Sequence, residues 1–543
     1  MPLQGGGMEP DMNIMNKVLD QYSSRVYKNR KEHMVSVNNN DNNNEIAANV
    51  RTLPGIITQR GCCFAGCKGV VLGPIKDAFI IVHGPVGCAY YSWGTRRHKA
   101  KKEEGVANYL QYCFSTDLQE PDIVFGGEKK LRKAIEEAMD LFQPSTVMIC
   151  STCPVGLIGD DIHAVAKWAE KEYKIKCIAF SCEGYKGVSQ SAGHHIANNQ
   201  LVKYVIGEGD REITNKFAIN ILGEYNIGGD GWETERLLKR IGYEIISTFT
   251  GDSSIDDIKN AHKANLSLVQ CHRSINYIAD LIESKYGIPW MKVNFIGVNG
   301  TMESLRNIAK YFNDPELTAR TEAVIADELE LVREDMDYYR SRLKGKTAAI
   351  YVGGSRAHHY QYLLNDLGVH TVLAGYEFGH REEYEGREVL PFIKTDADSK
   401  NIESITVEPD QEKFHVYLSE EDLRKLKEEK LLDYYGGMVK DMKDGTYMVD
   451  DLNHYETEEF LKLLKPDIFF SGIKDKFVAQ KSGVLSRQLH SYDYSGPYSC
   501  FRGAVNFARD ITMGIYAPAW SYVKAPWKLA PSIEGTLGGE AAC

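Results

Sequence analysis

The sequence has no apolar run that approaches the ~20 residues needed to cross a bilayer. Its opening stretch, Met1 to Asp20, lacks the apolar core of a secretion signal. These absences argue against a membrane partner and lead to the expectation of a cytoplasmic protein. There is no excess of positive charge: 64 Lys and Arg stand against 75 Asp and Glu, a formal net charge of -11. A general nucleic-acid surface needs a basic face, so that class is disfavoured. No G-x-G-x-x-G follows a predicted strand. Gly345-Lys346-Thr347 ends like a phosphate loop, but Arg340 stands where the first Gly belongs, and the run precedes a strand. Energy from a nucleotide, if it is needed, has to come through a partner protein. Cysteine is sparse, with 12 in 543 residues, too few for a disulfide scaffold. No paired C-x-x-C units occur, which removes the structural zinc reading. In a reducing compartment the informative cysteines are better used for metal binding or catalysis.

The chain does show a strand–loop–helix rhythm over a great length. Its 543 residues exceed one hydrophobic core, so two to four domains are expected. Ser36–Asn44 is an Asn-rich tract, read as a flexible lead-in. Beyond Thr58, short β-branched or aromatic runs predict strands over Ala78–His83, Thr146–Cys150, Cys177–Ser181, Glu244–Thr250, Leu266–Gln270, Val293–Ile296, Thr347–Val352, Thr371–Leu373 and Asp467–Phe470. Helices are expected between them, as at Glu128–Phe142 and Ile162–Glu172. This alternation implies parallel sheets with crossover helices. The polar helical pattern from Asp314 to Arg342 reads as a domain connector, and Gly207-Glu208-Gly209-Asp210 as another boundary. Residues 399–450 form a charged insertion, read as a solvated surface feature, in which Ser419-Glu420-Glu421-Asp422 starts a helix.

Ligands of open parallel sheets bind outside the carboxyl ends of the strands, so the residues just after each strand carry the information. They are Gly84-Pro85-Val86-Gly87-Cys88, Ser151-Thr152-Cys153-Pro154-Val155-Gly156, Cys271-His272-Arg273-Ser274, Gly353-Gly354-Ser355-Arg356 and Ser471-Gly472-Ile473-Lys474. Five strands deliver Cys, Gly or a cation to the same predicted edge. After the run Cys177–Phe180 comes Ser189-Gln190-Ser191-Ala192-Gly193-His194-His195-Ile196-Ala197-Asn198-Asn199. This stretch carries donors, small residues and two adjacent imidazoles, a mixture that packing alone does not call for. Cys62 joins Cys88 and Cys153 as a thiol flanked by Gly at a turn. A buried Cys is commonly a small apolar filler, and thiolates are also the natural ligands of iron–sulfur clusters. If these three ligate, the set is incomplete, and inorganic sulfide or another chain has to finish it.

Several of these segments are similar to the alpha chains of nitrogenase component 1, in the flavour of the molybdenum–iron type. They are Arg60-Gly61-Cys62, His83 to Cys88, Cys153 to Asp161, Ser189 to His195, Gly223-Glu224-Tyr225-Asn226-Ile227-Gly228-Gly229-Asp230, Cys271 to Ser274, and Gln488-Leu489-His490-Ser491-Tyr492-Asp493-Tyr494. The resemblance runs from about Thr52 to Trp527, and the acidic insertion is similar to that of clostridial-type members. It implies three doubly wound, Rossmann-like α/β domains around a buried metallocofactor: 51–210, 211–345 and 346–543, after a partly disordered extension, 1–50.

The resemblance further implies an α2β2 assembly with a beta chain. An 8Fe-7S P-cluster shared with that chain would take Cys62, Cys88 and Cys153 as its alpha-side ligands. The iron–molybdenum cofactor, 7Fe-Mo-9S-C with homocitrate, would be held by Cys271 at an iron end and by His490 at molybdenum. Arg96, Arg356 and Lys474 would balance its charge, because a buried anion without nearby cations costs several kcal/mol per unpaired charge. Gly353 and Gly354 would let backbone amides approach. Gln190, His194 and Arg273 would donate hydrogen bonds. Ser274, Tyr225 and His380 belong to cofactor-environment segments. His194 matches the position over the reacting iron face, where an imidazole can donate and relay protons, with Val70 as a gate and Gln190 beside it. The implied activity is reduction of dinitrogen to ammonia with hydrogen evolution, electrons arriving from an ATP-hydrolysing iron protein. Vanadium or iron-only enzymes and a cofactor-assembly scaffold are the rival readings. Cys271 and His490 together speak against the scaffold, and Gly353 to Arg356 against the other metals. The departures are the extra thiols Cys63 and Cys67, Phe64 in place of a Tyr, and Trp93-Gly94-Thr95-Arg96 in place of an Ala-Gly-Arg pattern.

Overall fold

The computed structural model describes residues 12–38, 46–48, 61–94, 98–187, 189–377, 405–438, 441–472, 475–490, 492 and 495–522. Strands buried on both faces read as continuous apolar runs, and parallel sheets covered by helices are built of such strands. The strands are β1 (Met34–Ser36), β2 (Phe79–His83), β3 (Phe114–Ser115), β4 (Thr146–Ser151), β5 (Lys176–Phe180), β6 (Ala218–Glu224), β7 (Glu244–Thr250), β8 (Leu266–Val269), β9 (Trp290–Lys292), β10 (Thr347–Gly353), β11 (His370–Glu377), β12 (Tyr447–Asp450), β13 (Ile468–Ser471) and β14 (Leu485–Gln488). They form three sheets, ordered β3-β2-β4-β5, β7-β6-β8-β9 and β1-β12-β11-β10-β13-β14. Every pairing is parallel except β1 with β12. The expected α/β class with crossover helices is therefore present.

Local chemistry sets the element ends. The helix Glu128–Phe142 has the predicted bounds. The long connector is the helix Pro315–Leu343, with Pro at its first position and the Asp314 carboxylate accepting from the Leu317 amide at 2.9 Å. The helix Glu420–Glu428 starts at Ser419, whose hydroxyl accepts from the Asp422 amide. Among the described residues no helix is long and apolar enough to cross a membrane.

Three expectations change. The strand predicted over Val293–Ile296 lies earlier, at Trp290–Lys292. Side chains take the backbone donors beyond it: Ser304 Oγ accepts from the Asn294 amide, and Asn294 Oδ1 from the Ile296 amide, so the ladder stops there. The insertion is not wholly a solvated feature. Its helix is charged and largely exposed, but Leu432, Tyr435, Met438 and Met442 are buried, and β12 is an interior strand between β1 and β11. The N-terminal segment, as far as described, is docked rather than a lead-in. Buried Arg30 donates from Nε and Nη2 to the two carboxylate oxygens of buried Glu456, at 2.6 and 2.8 Å, and β1 edges the third sheet. Most of the Asn-rich tract lies outside the described residues.

Candidate functional site

The helix Gln190–Tyr204 is the first wall of the site. It is buried nearly all round, because a π-helical segment, Ala65–Leu72, packs on it from one side and the helix His272–Tyr286 from another. Its small residues are what permit this. A Cβ on Gly66 would lie 1.8 Å from the Gln190 carbonyl oxygen, and one on Gly193 would lie 1.9 Å from that of Cys63. No side chain fits either place, so the two segments meet backbone to backbone. Single-turn π-segments recur at functional sites, and this one carries Val70. With Gln190 and His194, Val70 faces a common cavity. Asn198 ties the wall to the next by donating to the Ser274 carbonyl at 3.0 Å.

The second wall begins where β8 ends. Cys271 caps the helix His272–Tyr286. Gly223 has φ +80°, and a Cβ there would lie 2.8 Å from the Cys271 amide, so glycine is required on both counts. The Tyr225 hydroxyl donates to Ser274 Oγ at 2.8 Å, and Ser274 Oγ donates to the Cys271 carbonyl at 3.2 Å. The third sheet closes the space with Gly353, Ser355, Arg356 and His359 after β10, and with His490 after β14. The cavity is lined by both Cys271 and His490.

The electrostatics of this enclosure are specific. Arg356 donates from Nε to the Leu489 carbonyl at 2.8 Å, which fixes the residue beside His490, and from Nη2 to Asp230 at 3.2 Å and to the Tyr492 hydroxyl. Asp230 also accepts the amides of Tyr498 and Ser499, at 2.7 and 2.9 Å. Part of the Arg356 charge is thus neutralised inside the protein. Burial, and then the Asp230 charge, push the Glu224 carboxyl up to about 7. On the opposite side the Lys292 ammonium lies 2.6 Å from His359 Nε2 and donates to the carbonyls of Gln270 and Val293. Burial first, and the Lys292 charge second, hold the His359 imidazole well below its ordinary range, so it is neutral. Lys292, Gln270 and His359 had no sequence signal: each is an ordinary residue type until the sheets are brought together.

A second group of sulfurs lies on the first sheet. A Cβ on Gly184 would be 3.0 Å from Cys153 Sγ and 3.5 Å from Cys62 Sγ, which places those two together. Burial raises the Cys88 thiol, and Cys62 and Cys153 raise it further by their charge. Cys62 is exposed, and Cys88 and Cys153 are half-buried. Large apolar side chains stand exposed nearby on the same helices and loop: Val86, Tyr90 and Tyr91 with Cys88, Leu157 with Cys153, and Tyr185 beside Gly184. Two acidic members of the Cys153 segment are structural. Asp160 pairs with His83 Nε2 at 3.0 Å and accepts the Gly127 amide, while Asp161 caps the helix Ile162–Tyr173.

The predicted single edge therefore resolves into two places. Val70, Gln190, His194, Tyr225, Cys271, Ser274, Gly353, Arg356 and His490 line one cavity, and Gly354 follows Gly353 at the start of the helix Gly354–Asp366. Cys62, Cys88 and Cys153 form the other group. Arg96, His380 and Lys474 lie outside the described residues, as does the side chain of Arg273.

Residues 62–516 match the family model described as nitrogenase component 1 type oxidoreductase. The chain is 57% identical over 532 residues to the nitrogenase molybdenum-iron protein alpha chain of Clostridium pasteurianum, covering 97% of this chain and 99% of that one. It is 52% identical to the protein of the same name from Methanosarcina barkeri, over 96% of this chain and 98% of that one. A solved structure titled nitrogenase Cp1 at pH 6.5 superposes with a TM-score of 0.91 at 57% identity, covering 95% of this chain and 100% of that chain. With the parallel-sheet fold and the motifs in their places, the chain belongs to the family of nitrogenase component 1 type oxidoreductases.

Proposed function

We infer that the chain is the alpha subunit of a molybdenum-dependent dinitrogenase, reducing dinitrogen to ammonia and protons to hydrogen. The observation that carries this is the meeting of Cys271 and His490, from different sheets, in one enclosed cavity. The residues present fit an iron–molybdenum cofactor with homocitrate. The cavity offers one thiol and one imidazole as ligands, a guanidinium, glycine backbone at Gly223 and Gly353, and a Lys-backed imidazole at His359. When bound, the cofactor supplies the metal–sulfur surface on which dinitrogen is reduced.

The chain's own residues do the rest. Cys271 and His490 would be the cofactor's two ligands from this chain. Arg356 anchors the His490 loop through Leu489 and offers positive charge to an anion, a role the resemblance also gives to Arg96 and Lys474. Val70 keeps the adjacent space small, which selects small substrates. His194 and Gln190, on one helix face beside Val70, donate hydrogen bonds, and His194 hands on protons. Val70, Gln190 and His194 are buried, so these dipoles act in a low-dielectric space.

The exposure of Cys62, with Cys88 and Cys153 half-buried beside it, supports a P-cluster completed by a beta chain in an α2β2 assembly, and the apolar side chains around them support a protein partner on that face. Electrons would arrive there from a separate ATP-hydrolysing iron protein. The same reading divides the chain into an N-terminal segment, 1–50, and domains over 51–210, 211–345 and 346–543; β1 from the first segment joins the sheet of the last. A cytoplasmic location goes with it.

The test is elemental analysis of the native complex for molybdenum, vanadium and iron. Molybdenum is expected, and is expected to fall about tenfold or more in Cys271→Ala. A full molybdenum load in that variant removes the cofactor assignment, and vanadium or iron alone in the native complex transfers the chain to the alternative enzymes. His194→Ala should keep its metals and lose ammonia formation; unchanged ammonia formation removes its role.

A further inference from the structure

Cys67 does not join its near neighbour Cys62. It turns inward, and its sulfur, with those of Cys150 near the end of β4 and Cys182 just after β5, forms a group in which all three lie within 4.8 Å of one another. All three cysteines are fully buried. They come from three separate segments that also deliver Cys62, Cys153 and Gly184, so one sulfur-bearing layer lies beneath the other. Three sulfurs bound to one ion at about 2.3 Å sit about 4 Å apart, and this group needs little rearrangement to reach that geometry.

A second observation concerns charge. Among the described residues Lys68, next to Cys67, is also buried. No carboxylate pairs with it among those residues. A buried cation of this kind calls for a neighbouring negative charge. Three neutral thiols provide none, whereas three thiolates around a divalent ion carry a net charge of −1, which a Lys68 ammonium cancels.

We propose that Cys67, Cys150 and Cys182 form a buried site for a thiophilic divalent cation such as zinc, separate from the two centres above, with Lys68 as its counter-charge. Binding replaces three S–H bonds by three metal–sulfur bonds and releases three protons, with no change of oxidation state. The ion staples the π-helical segment that carries Val70 to the ends of β4 and β5.

The test uses the assembled complex, produced in zinc-replete medium and passed over a weak chelator. Zinc, iron and molybdenum are then counted by mass spectrometry. One zinc per chain is expected in the parent. Cys150→Ala and Cys182→Ala should lose it while iron, molybdenum and ammonia formation stay at parent levels. Lys68→Met should release zinc to a competing chelator about tenfold more readily. A zinc-free parent overturns the site, whether its three cysteines are free thiols or joined in a disulfide. Loss of iron together with zinc in Cys150→Ala also overturns it, because the group then belongs to an iron centre. Should both alanine variants fail to assemble, zinc-edge absorption of the parent decides: a shell containing three sulfurs is expected, and a shell of nitrogen and oxygen refutes the proposal. Molybdenum content keeps this outcome distinct from failure of the cofactor reading.

Discussion

The enclosed cavity and the cysteine face of the first sheet are built by the same rule and end differently. Both gather residues from just beyond the carboxyl ends of parallel strands. The cavity draws on the first-sheet helix Gln190–Tyr204, on β6 and β8 of the second sheet, and on β10 and β14 of the third. On the reading proposed above, two protein ligands would suffice there, because glycine backbone, Arg356 and a neutral His359 line the space. The cysteine face draws chiefly on β2 and β4 of one sheet, and stays open with Cys62 exposed. One sheet edge encloses less than three do, so a cluster proposed for this face would need a second chain and one proposed for the cavity would not.

That contrast can be broken most sharply at the cavity. Cys271→Ala or His490→Ala should lower molybdenum in the purified complex by about tenfold or more, while iron bound at the cysteine face is retained. Parallel loss of both metals would show that the two places are not independent. Cys153→Ala should do the reverse, depleting iron and weakening assembly with the partner chain, read by elemental analysis and sedimentation. If the assembly is unchanged, the open face is not where the partner completes the site.

A smaller effect is expected from the wall that serves the cavity. Gly193→Ala forces a Cβ onto the Cys63 carbonyl, where the available space is 1.9 Å. Overpacking of this kind costs about 1–3 kcal/mol, occasionally more, and should appear as a lower thermal midpoint. Gly184→Ala, whose Cβ would meet Cys153 Sγ at 3.0 Å, should cost less, because the open face has room to give.

The smallest effect is electrostatic. Folding raises the Glu224 carboxyl from its ordinary 4.5 to about 7, so the folded chain keeps a proton that the unfolded chain surrenders. Its stabilising contribution is complete below about pH 4.5 and is lost as pH rises through about 7. Glu224→Gln should therefore match the parent at low pH and melt higher than the parent above neutrality. Melting curves that stay parallel across that window would show that Asp230 and Arg356 already neutralise the site.

Much of the molecule is legible from residues alone, for identifiable reasons. Cys271 and Gly353 stand directly after predicted strands, whereas His490 and Val70 are marked only by the resemblance to the family. β6 escapes such a reading because Asn220, Gly223 and Glu224 interrupt its apolar pattern, and each has a tertiary reason. Asn220 donates to the Ala261 carbonyl, Glu224 accepts the Asn226 amide, and Gly223 makes room for Cys271. β12 escapes it because the strand comes after a charged stretch that reads as surface, although its residues pack inside a six-stranded sheet.

Residue pattern was enough to establish the parallel α/β class, the bounds of its long helices and, at strand ends, Cys271, Ser274, Gly353 and Arg356. These depend on local periodicity and on short motifs, which a linear chain displays directly. The tertiary structure alone decided that the predicted edge is two sites, that Cys67 turns away from Cys62 towards Cys150 and Cys182, and that Lys292 stands behind His359. Those facts depend on which distant segments approach within a few ångströms. Small residues such as Gly66 and Gly193 govern that approach, and in the linear chain they carry no mark of what they will meet.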